Sequence, residues 1–195
     1  MKILCTDLEG TLAPEIWQEI GRNYNIPELS ATTREIPDFE DLMNMRMEAL
    51  QNNAIRYSDL KDFLKTIDPY QGAKEFLNSL KDKYQIVIVS DTFYELALPL
   101  IGKLGDYPIL CHHLNIKDDY IESYSKRQND PKRNVVKGFK SMNYECFCMG
   151  DSYNDIQMID ESNGAFIFAP EEIKSSRPDI LSFESYNDLR NYLLK

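Results

Sequence analysis

Three short apolar runs, each ending on a polar residue, restrict what this chain can fold into more than any other feature. Lys2–Thr6 (KILCT) leads to Asp7, residues 85–89 (QIVIV) lead to Ser90 and Asp91, and residues 146–149 (CFCM) lead to Gly150 and Asp151. The runs are continuously apolar rather than alternating, which suits strands covered on both faces, as in a parallel sheet between helices. Each strand then delivers a polar group at its carboxyl end, the edge where open parallel sheets bind ligands. Residues 166–168 (FIF), ahead of Ala169 and Pro170, predict a further strand. Residues 71–83 carry Ala73, Phe76, Leu77 and Leu80 at helical spacing, and residues 188–194 close the chain in the same manner. Strand alternating with helix indicates an α/β fold: a Rossmann-like parallel sheet with helices on both faces.

Residues 12–70 interrupt that alternation with helical patterns and no good strand, over a length too great for a structureless connection. They predict a small helical cap inserted after the first strand. Residues 1–12 and 71–195 then form the catalytic core and 13–70 the cap. Within PDFEDLMNMRMEALQNN, Asp38 can cap a helix with an apolar stripe of Phe39, Leu42, Met43 and Leu50, and Arg46 falls on that stripe. A charge there needs a partner or a route to water; a snorkelling side chain or an internal salt bridge is the ordinary reading.

A formal net charge of −10 opposes a nucleic-acid partner. For a phosphate ester it means that positive charge must be gathered locally, from a metal ion and a few placed Lys or Arg residues. The longest apolar runs are too short to span a bilayer, and the opening MKILCTD holds no secretory apolar region, so a cytoplasmic location is expected. Cys5, Cys111, Cys146 and Cys148 lie mostly in apolar runs and read as small buried hydrophobes in a reducing compartment rather than disulfide or zinc partners. The adjacent His112 and His113 would face opposite sides of a strand, so both read as structural.

Chemistry concentrates in four strings: DLEGTLAP from Asp7, VSDTFYE around Ser90, RQNDPKRNVVKGF around Lys132, and GDSYND from Gly150. Singly, each has a plain reading: a surface turn, a helix cap, a solvated basic cluster, a first-turn acid. Together, an Asp with a Glu, a Ser, and an Asp with an Asp at three sheet ends resemble the haloacid dehalogenase superfamily. A carboxylate can attack phosphorus to give an acyl phosphate, and Asp7, first off its strand, is the choice for that nucleophile. The resemblance implies that Glu9 protonates the leaving oxygen and then activates the acceptor, although most members carry Asp there and the extra methylene shifts its reach. Clustered carboxylates require a cation, and magnesium prefers oxygen ligands. By resemblance those ligands are the Asp7 side chain, the Glu9 backbone carbonyl and the Asp151 side chain, with Asp155 as ligand or support. The Ser90 hydroxyl with nearby amides would hold the phosphoryl oxygens, and Asp91 and Asn154 are further candidates for substrate binding. Asp130 and Pro131 start a helix that puts Lys132 in its first turn, where the helix dipole disfavours a cation unless an anion is bound. Lys132 best matches the family lysine that neutralises the phosphoryl group; Arg133, Lys126 and Lys137 match less well.

A narrower likeness runs over most of the chain. DLEG, PEIW, ATTR, PDFEDLM, SDTFYE, DPKR and GDSYND resemble the phosphoserine phosphatases, especially the bifunctional phosphoserine phosphatase/homoserine phosphotransferase group. That resemblance implies that Arg46 takes the substrate carboxylate and Glu15 the amino group, with bidentate guanidinium pairing suited to an amino acid. It further implies a magnesium-dependent phosphatase of amino-acid biosynthesis acting on phosphoserine, with transfer to homoserine as a companion activity, in a monomer or homodimer without nucleic-acid or membrane partners. A phosphatase for a nucleotide or sugar phosphate, and a receiver-type phosphoacceptor module, remain the competing readings.

Overall fold

The computed structural model describes residues 1–32 and 35–195; Thr33 and Arg34, the last two letters of the ATTR string, lie outside the described residues. Strands β1 (Lys2–Thr6), β2 (Gln85–Phe93), β3 (Ile109–Lys117), β4 (Tyr120–Ser125), β5 (Glu145–Gly150), β6 (Ala165–Ile167) and β7 (Leu181–Phe183) form one sheet in the order β4-β3-β2-β1-β5-β6-β7. All neighbours run parallel except β4, which returns antiparallel to β3. β1 lies between β2 and β5, with Cys5 opposite both Val87 and Cys148.

The continuous apolar character of the central runs has a direct cause. Successive side chains of a strand point to opposite faces, and both faces here are cores. Leu4, Ile86, Ile88, Phe147 and Met149 enter one cluster, while Ile3, Cys5, Val87, Val89, Cys146 and Cys148 enter the other. The first cluster is covered by α5 (Ala73–Leu80), α6 (Tyr94–Leu104) and α10 (Tyr186–Leu193), through Leu77, Leu100 and Leu189 among others. The second is covered by α7 (Pro131–Ser141), α8 (Ile156–Asp160) and α9 (Glu171–Ser176), through Val136, Met158 and Ile173. The four cysteines are buried and free.

Between β1 and α5 lie α1 (Ile16–Tyr24), α2 (Pro27–Ser30), α3 (Phe39–Asn52) and α4 (Tyr57–Leu64), with no strand among the described residues of that stretch. The two chain crossings meet where the Tyr70 N–H donates to the Leu12 carbonyl at 2.9 Å. Apolar residues of these helices, such as Ile20, Met43 and Leu60, continue the first core cluster rather than forming one of their own. Asp38 caps α3 by accepting the Asp41 N–H at 3.0 Å, and Arg46 lies on the buried face of that helix with Leu42, Met43 and Leu50.

Three features differ from the sequence reading. β2 does not end at Val89 but carries Ser90 and Asp91 within it, with a register shift against β3 between Val89 and Phe93 that redirects the strand at this point. The β3–β4 hairpin was not foreseen, and it makes one edge of the sheet antiparallel. Asp118 and Asp119, both at positive φ, form its tight turn. Phe168 leaves β6 at φ 56 instead of extending it. No helix among the described residues is long and apolar enough to cross a membrane.

Candidate active site

Because β1, β2 and β5 are neighbours, their carboxyl ends bring Asp7, Ser90 with Asp91, and Asp151 to one edge. Asp7 continues the ladder for one residue, donating its N–H to the Met149 carbonyl at 2.9 Å, while its Oδ1 accepts the Leu8 N–H at 2.8 Å. Lys132, in the first turn of α7 and only 5% exposed, reaches into this edge. Its Nζ lies 2.7 Å from Asp155 Oδ1, 3.1 Å from Asp7 Oδ1 and 3.9 Å from Asp91 Oδ2. The weaker basic candidates go elsewhere: Arg133 and Lys137 approach Glu161, at 3.6 and 3.7 Å, and Lys126 pairs with Glu40.

One ammonium therefore faces several carboxylates in a dry setting. Oxygens of Asp7, Asp151 and Asp155 all lie within 4.8 Å of one another. Burial raises Asp7 well above the usual carboxylate range, with Asp155 and Asp151 adding to the rise and Lys132 opposing it. Asp151 is pushed up to about 7 by burial, then by Asp155 and Glu15. Burial works against the Lys132 charge, yet Asp155, Asp7 and Asp91 outweigh it and hold the ammonium well above its usual range. A cluster of oxygen donors short of positive charge is the chemistry that accepts a hard divalent cation.

Local backbone sets this geometry. Gly10 has φ +74, and a Cβ there would run into the Asp151 carboxylate; a Cβ on Gly150 would run into Asp155. Asp155 closes a capping box with Ser152: its Oδ2 accepts the N–H groups of Asp151 and Ser152, each at 3.0 Å, and the Ser152 hydroxyl at 2.9 Å. With Oδ1 given to Lys132, the Asp155 carboxylate is engaged on both oxygens.

A cleft of ≈ 740 Å³ runs from this edge toward α1 and α3. Glu9, Asp91, Asp151 and Asn154 line it together with Arg46 and Trp17, which form the wall contributed by α3 and α1, and with Glu15, the exposed residue before α1. Glu9 Oε1 accepts the Ile16 N–H at 2.7 Å. Its carboxyl is pushed up to about 8 by burial and then by Glu15; the Ile16 N–H, the Thr92 hydroxyl and Arg46 act in the other direction. Arg46, 7% exposed, donates from Nη2 to the Ala31 carbonyl at 2.7 Å, while its Nε has no partner among the described residues. Burial brings its pKa down to about 10, against the pull of Glu9 and Glu15, so it is charged at neutral pH. Ser90 is buried and its hydroxyl accepts the Thr92 N–H at 3.3 Å.

Residues 1–163 match the family model of the haloacid dehalogenase-like hydrolases. The chain belongs to that family. Along its whole length it is 42% identical to the phosphoserine phosphatase ThrH of Pseudomonas aeruginosa, covering 96% of that protein, and 39% identical to a phosphoserine phosphatase of Pseudomonas syringae pv. tomato, covering 83%. The fold superposes on a crystal structure of phosphoserine phosphatase in apo form with a TM-score of 0.79 at 23% identity, over 98% of this chain and 97% of that one. A phospho-aspartyl intermediate analogue of phosphoserine phosphatase gives the same TM-score at 22% identity, over 98% of each chain.

In this haloacid dehalogenase-like hydrolase the edge and the cleft divide the work chemically. The edge gathers a carboxylate, a cation and an oxygen-rich cluster, and the cleft holds Glu9, whose carboxyl is pushed up to about 8, and a buried guanidinium. Three contributors escaped the sequence reading. Thr11 donates its hydroxyl to Asp151 Oδ1 at 3.1 Å, Thr92 faces Glu9, and Trp17 lies under Arg46. Each stood inside a string already singled out, yet nothing in the residue type separated it from a turn or a core position.

Proposed function

We propose that this hydrolase is a magnesium-dependent phosphoserine phosphatase that works through an aspartyl phosphate on Asp7. The observation that carries the reading is Arg46: a charged, buried guanidinium whose Nε has no partner among the described residues, lining the same cleft as Asp151 of the carboxylate cluster. A phosphomonoester of amino-acid size bearing a carboxylate would engage both ends. The phosphoserine phosphatases among its relatives support the same substrate.

Asp7 attacks phosphorus; the new bond is Asp7 O–P and the bond that breaks is that between phosphorus and the serine oxygen. Glu9, with a carboxyl pKa near 8, holds a proton at neutral pH and gives it to that oxygen. Lys132, held between Asp7 and Asp155, places positive charge where the phosphoryl oxygens arrive. Glu9, now ionised, takes a proton from water, which attacks phosphorus and returns Asp7 as a carboxylate with release of phosphate. The Asp7 and Asp151 side chains and the Glu9 carbonyl would hold magnesium, with Asp155 fixing the turn between them; all-oxygen donors fit that ion. Magnesium supplies the positive charge that keeps the buried carboxylates ionised and offsets the phosphoryl charge. Glu15 is the candidate for the substrate amine, Ser90 for the phosphoryl oxygens, and Asp91 and Asn154 for further substrate contacts. Residues 13–70 act as the cap over the core.

The resemblance to the bifunctional group supports homoserine as a second acceptor, since an alcohol can take the phosphoryl group from Asp7 as water does. A panel of O-phosphoserine, phosphoethanolamine, a nucleoside monophosphate and a sugar phosphate, each with and without magnesium, tests the substrate. Preferred turnover of the nucleotide or the sugar would overturn it. Phosphorus NMR with homoserine present tests the acceptor: phosphohomoserine is expected, and inorganic phosphate alone removes the transferase activity.

A further inference from the structure

Trp17 stands in the first turn of α1, one residue after the Ile16 N–H that holds Glu9. Its indole is buried, meets Phe93 of β2 edge-on with ring centroids 6.2 Å apart, and lines the same cleft as Arg46. The Arg46 guanidinium carbon lies 4.8 Å from the centre of that ring. Its second anchor is the Ala31 carbonyl. Glu9 and Glu15 are the carboxyl groups that act on this guanidinium, and a buried cation ordinarily folds onto such a neighbour. No ion pair to Arg46 forms among the described residues, and its Nε is left without an acceptor. The guanidinium lies over the indole face, with a carbonyl at Nη2 and the Met43 sulfur at Nη1, while donor capacity remains for an occupant of the cleft.

We propose that Trp17 is a positioning residue for substrate specificity: its indole face holds the Arg46 guanidinium off Glu9 and aligned for a substrate carboxylate. The assignment rests on the reading of Arg46 as the group that receives that carboxylate. Tryptophan is the strongest of the aromatic faces toward a cation, and the attraction grows where water is excluded, as it is here. Without the ring, Arg46 can turn to Glu9. That pairing competes with the substrate carboxylate and also draws the proton from Glu9, so every ester loses rate through Glu9, and carboxylate-bearing esters lose kcat/KM beyond that. One turn of α1 thereby sets both the proton donor, through Ile16, and the carboxylate receiver, through Trp17.

Trp17 is the sole tryptophan of the chain, so growth on fluorinated tryptophans weakens the face of this one ring with little change of shape. The quantity to follow is the ratio of kcat/KM for O-phosphoserine to that for O-phosphoethanolamine, which lacks the carboxylate. The ratio should fall stepwise with fluorine number, and by about tenfold in Trp17→Leu, with Trp17→Phe between that variant and the parent. The fluorinated proteins keep the test valid even where Trp17→Leu folds poorly. A flat ratio across the fluorinated series, beside an Arg46→Ala control that does shift it, overturns the role of Trp17 alone. An Arg46→Ala control that leaves the ratio unmoved overturns the carboxylate reading itself, and the role of Trp17 with it.

Discussion

The carboxylate edge and the wall of the cleft both bury charge, but in opposite ways. At the edge the charged groups are tightly paired: Lys132 meets two carboxylates within 3.1 Å and Asp155 accepts on both oxygens, with Asp91 Oδ1 the atom left without a hydrogen bond among the described residues. In the wall, Arg46 has one carbonyl, one sulfur 3.7 Å from Nη1 and an aromatic face, with Nε unpaired among the described residues. A phosphoryl group is common to all substrates of such a hydrolase, so the groups that handle it can be locked in advance. The part of a substrate that distinguishes it from others must supply contacts of its own, and the wall is left incomplete for it.

Asp7→Asn carries the largest expected effect. The amide keeps the shape of the carboxylate but not its charge or nucleophilicity, so turnover should fall by roughly 10³-fold or more on every substrate, with the melting temperature little lowered. Steady-state phosphate release, with deamidation excluded by mass, checks it. Retained turnover would take the nucleophile away from β1. Lys132→Met should come next, at about 3–5 kcal/mol of stability, because it leaves mutually repelling carboxylates without their buried cation. Denaturant unfolding in EDTA and in magnesium reads this directly: the loss should be greater in EDTA, and an equal loss in both would remove the divalent cation from the cluster.

The two regions also differ in how legible they were. The floor could be read because its residues follow buried strands at fixed offsets, Asp7 after KILCT and Asp151 with Asp155 in one turn of GDSYND. A helix start at Asp130 and Pro131 puts Lys132 and Arg133 in a first turn, and the likeness to the family lysine separates Lys132 from Arg133, Lys126 and Lys137. The wall depends on the approach of Trp17 to Arg46 between two helices, and even the floor has one contact, Thr11 to Asp151 across 140 positions, that no local pattern encodes. β3 and β4 escaped for a different reason. An edge hairpin need not be apolar on both faces, and its turn is made by two aspartates rather than the glycine pairs that advertise such turns.

Arg46→Met sharpens the contrast, because the same kind of change should have a much smaller structural cost in the wall than at the floor. Replacing a sparsely paired buried charge by an apolar side chain of similar length should leave stability within about 1 kcal/mol of the parent, or above it. Specificity should move instead, with the preference for phosphoserine over phosphoethanolamine dropping on the order of ten to a hundredfold. A destabilisation as large as that of Lys132→Met would mean that Arg46 is a structural charge and that the wall is as locked as the floor.

The smallest expected effect belongs to His112, which touches both regions. Its ring packs against Phe39 of α3 at 5.8 Å and Phe93 of β2 at 5.9 Å, and its Nε2 lies 4.0 Å from Asp91 Oδ1. Nδ1 accepts the Arg127 N–H at 3.1 Å, so the neutral ring carries its proton on Nε2, toward Asp91. Burial lowers its pKa below the usual histidine value; Asp91 works against that shift, while Arg127, Lys126 and His113 add to it. With the folded pKa below the unfolded one, the unfolded chain binds more protons between the two values, and stability rises with pH across that interval. The contribution is therefore complete above about pH 6.5 and is lost as the pH falls from there toward the folded pKa. His112→Asn, which keeps an acceptor for Arg127, should flatten the dependence of the melting temperature on pH between roughly 7 and 5. Ring NMR of the parent gives the decisive number. A His112 that titrates at or above an ordinary histidine would show Asp91 outweighing burial, and would place the ring electrostatically with the carboxylate floor rather than with the apolar wall.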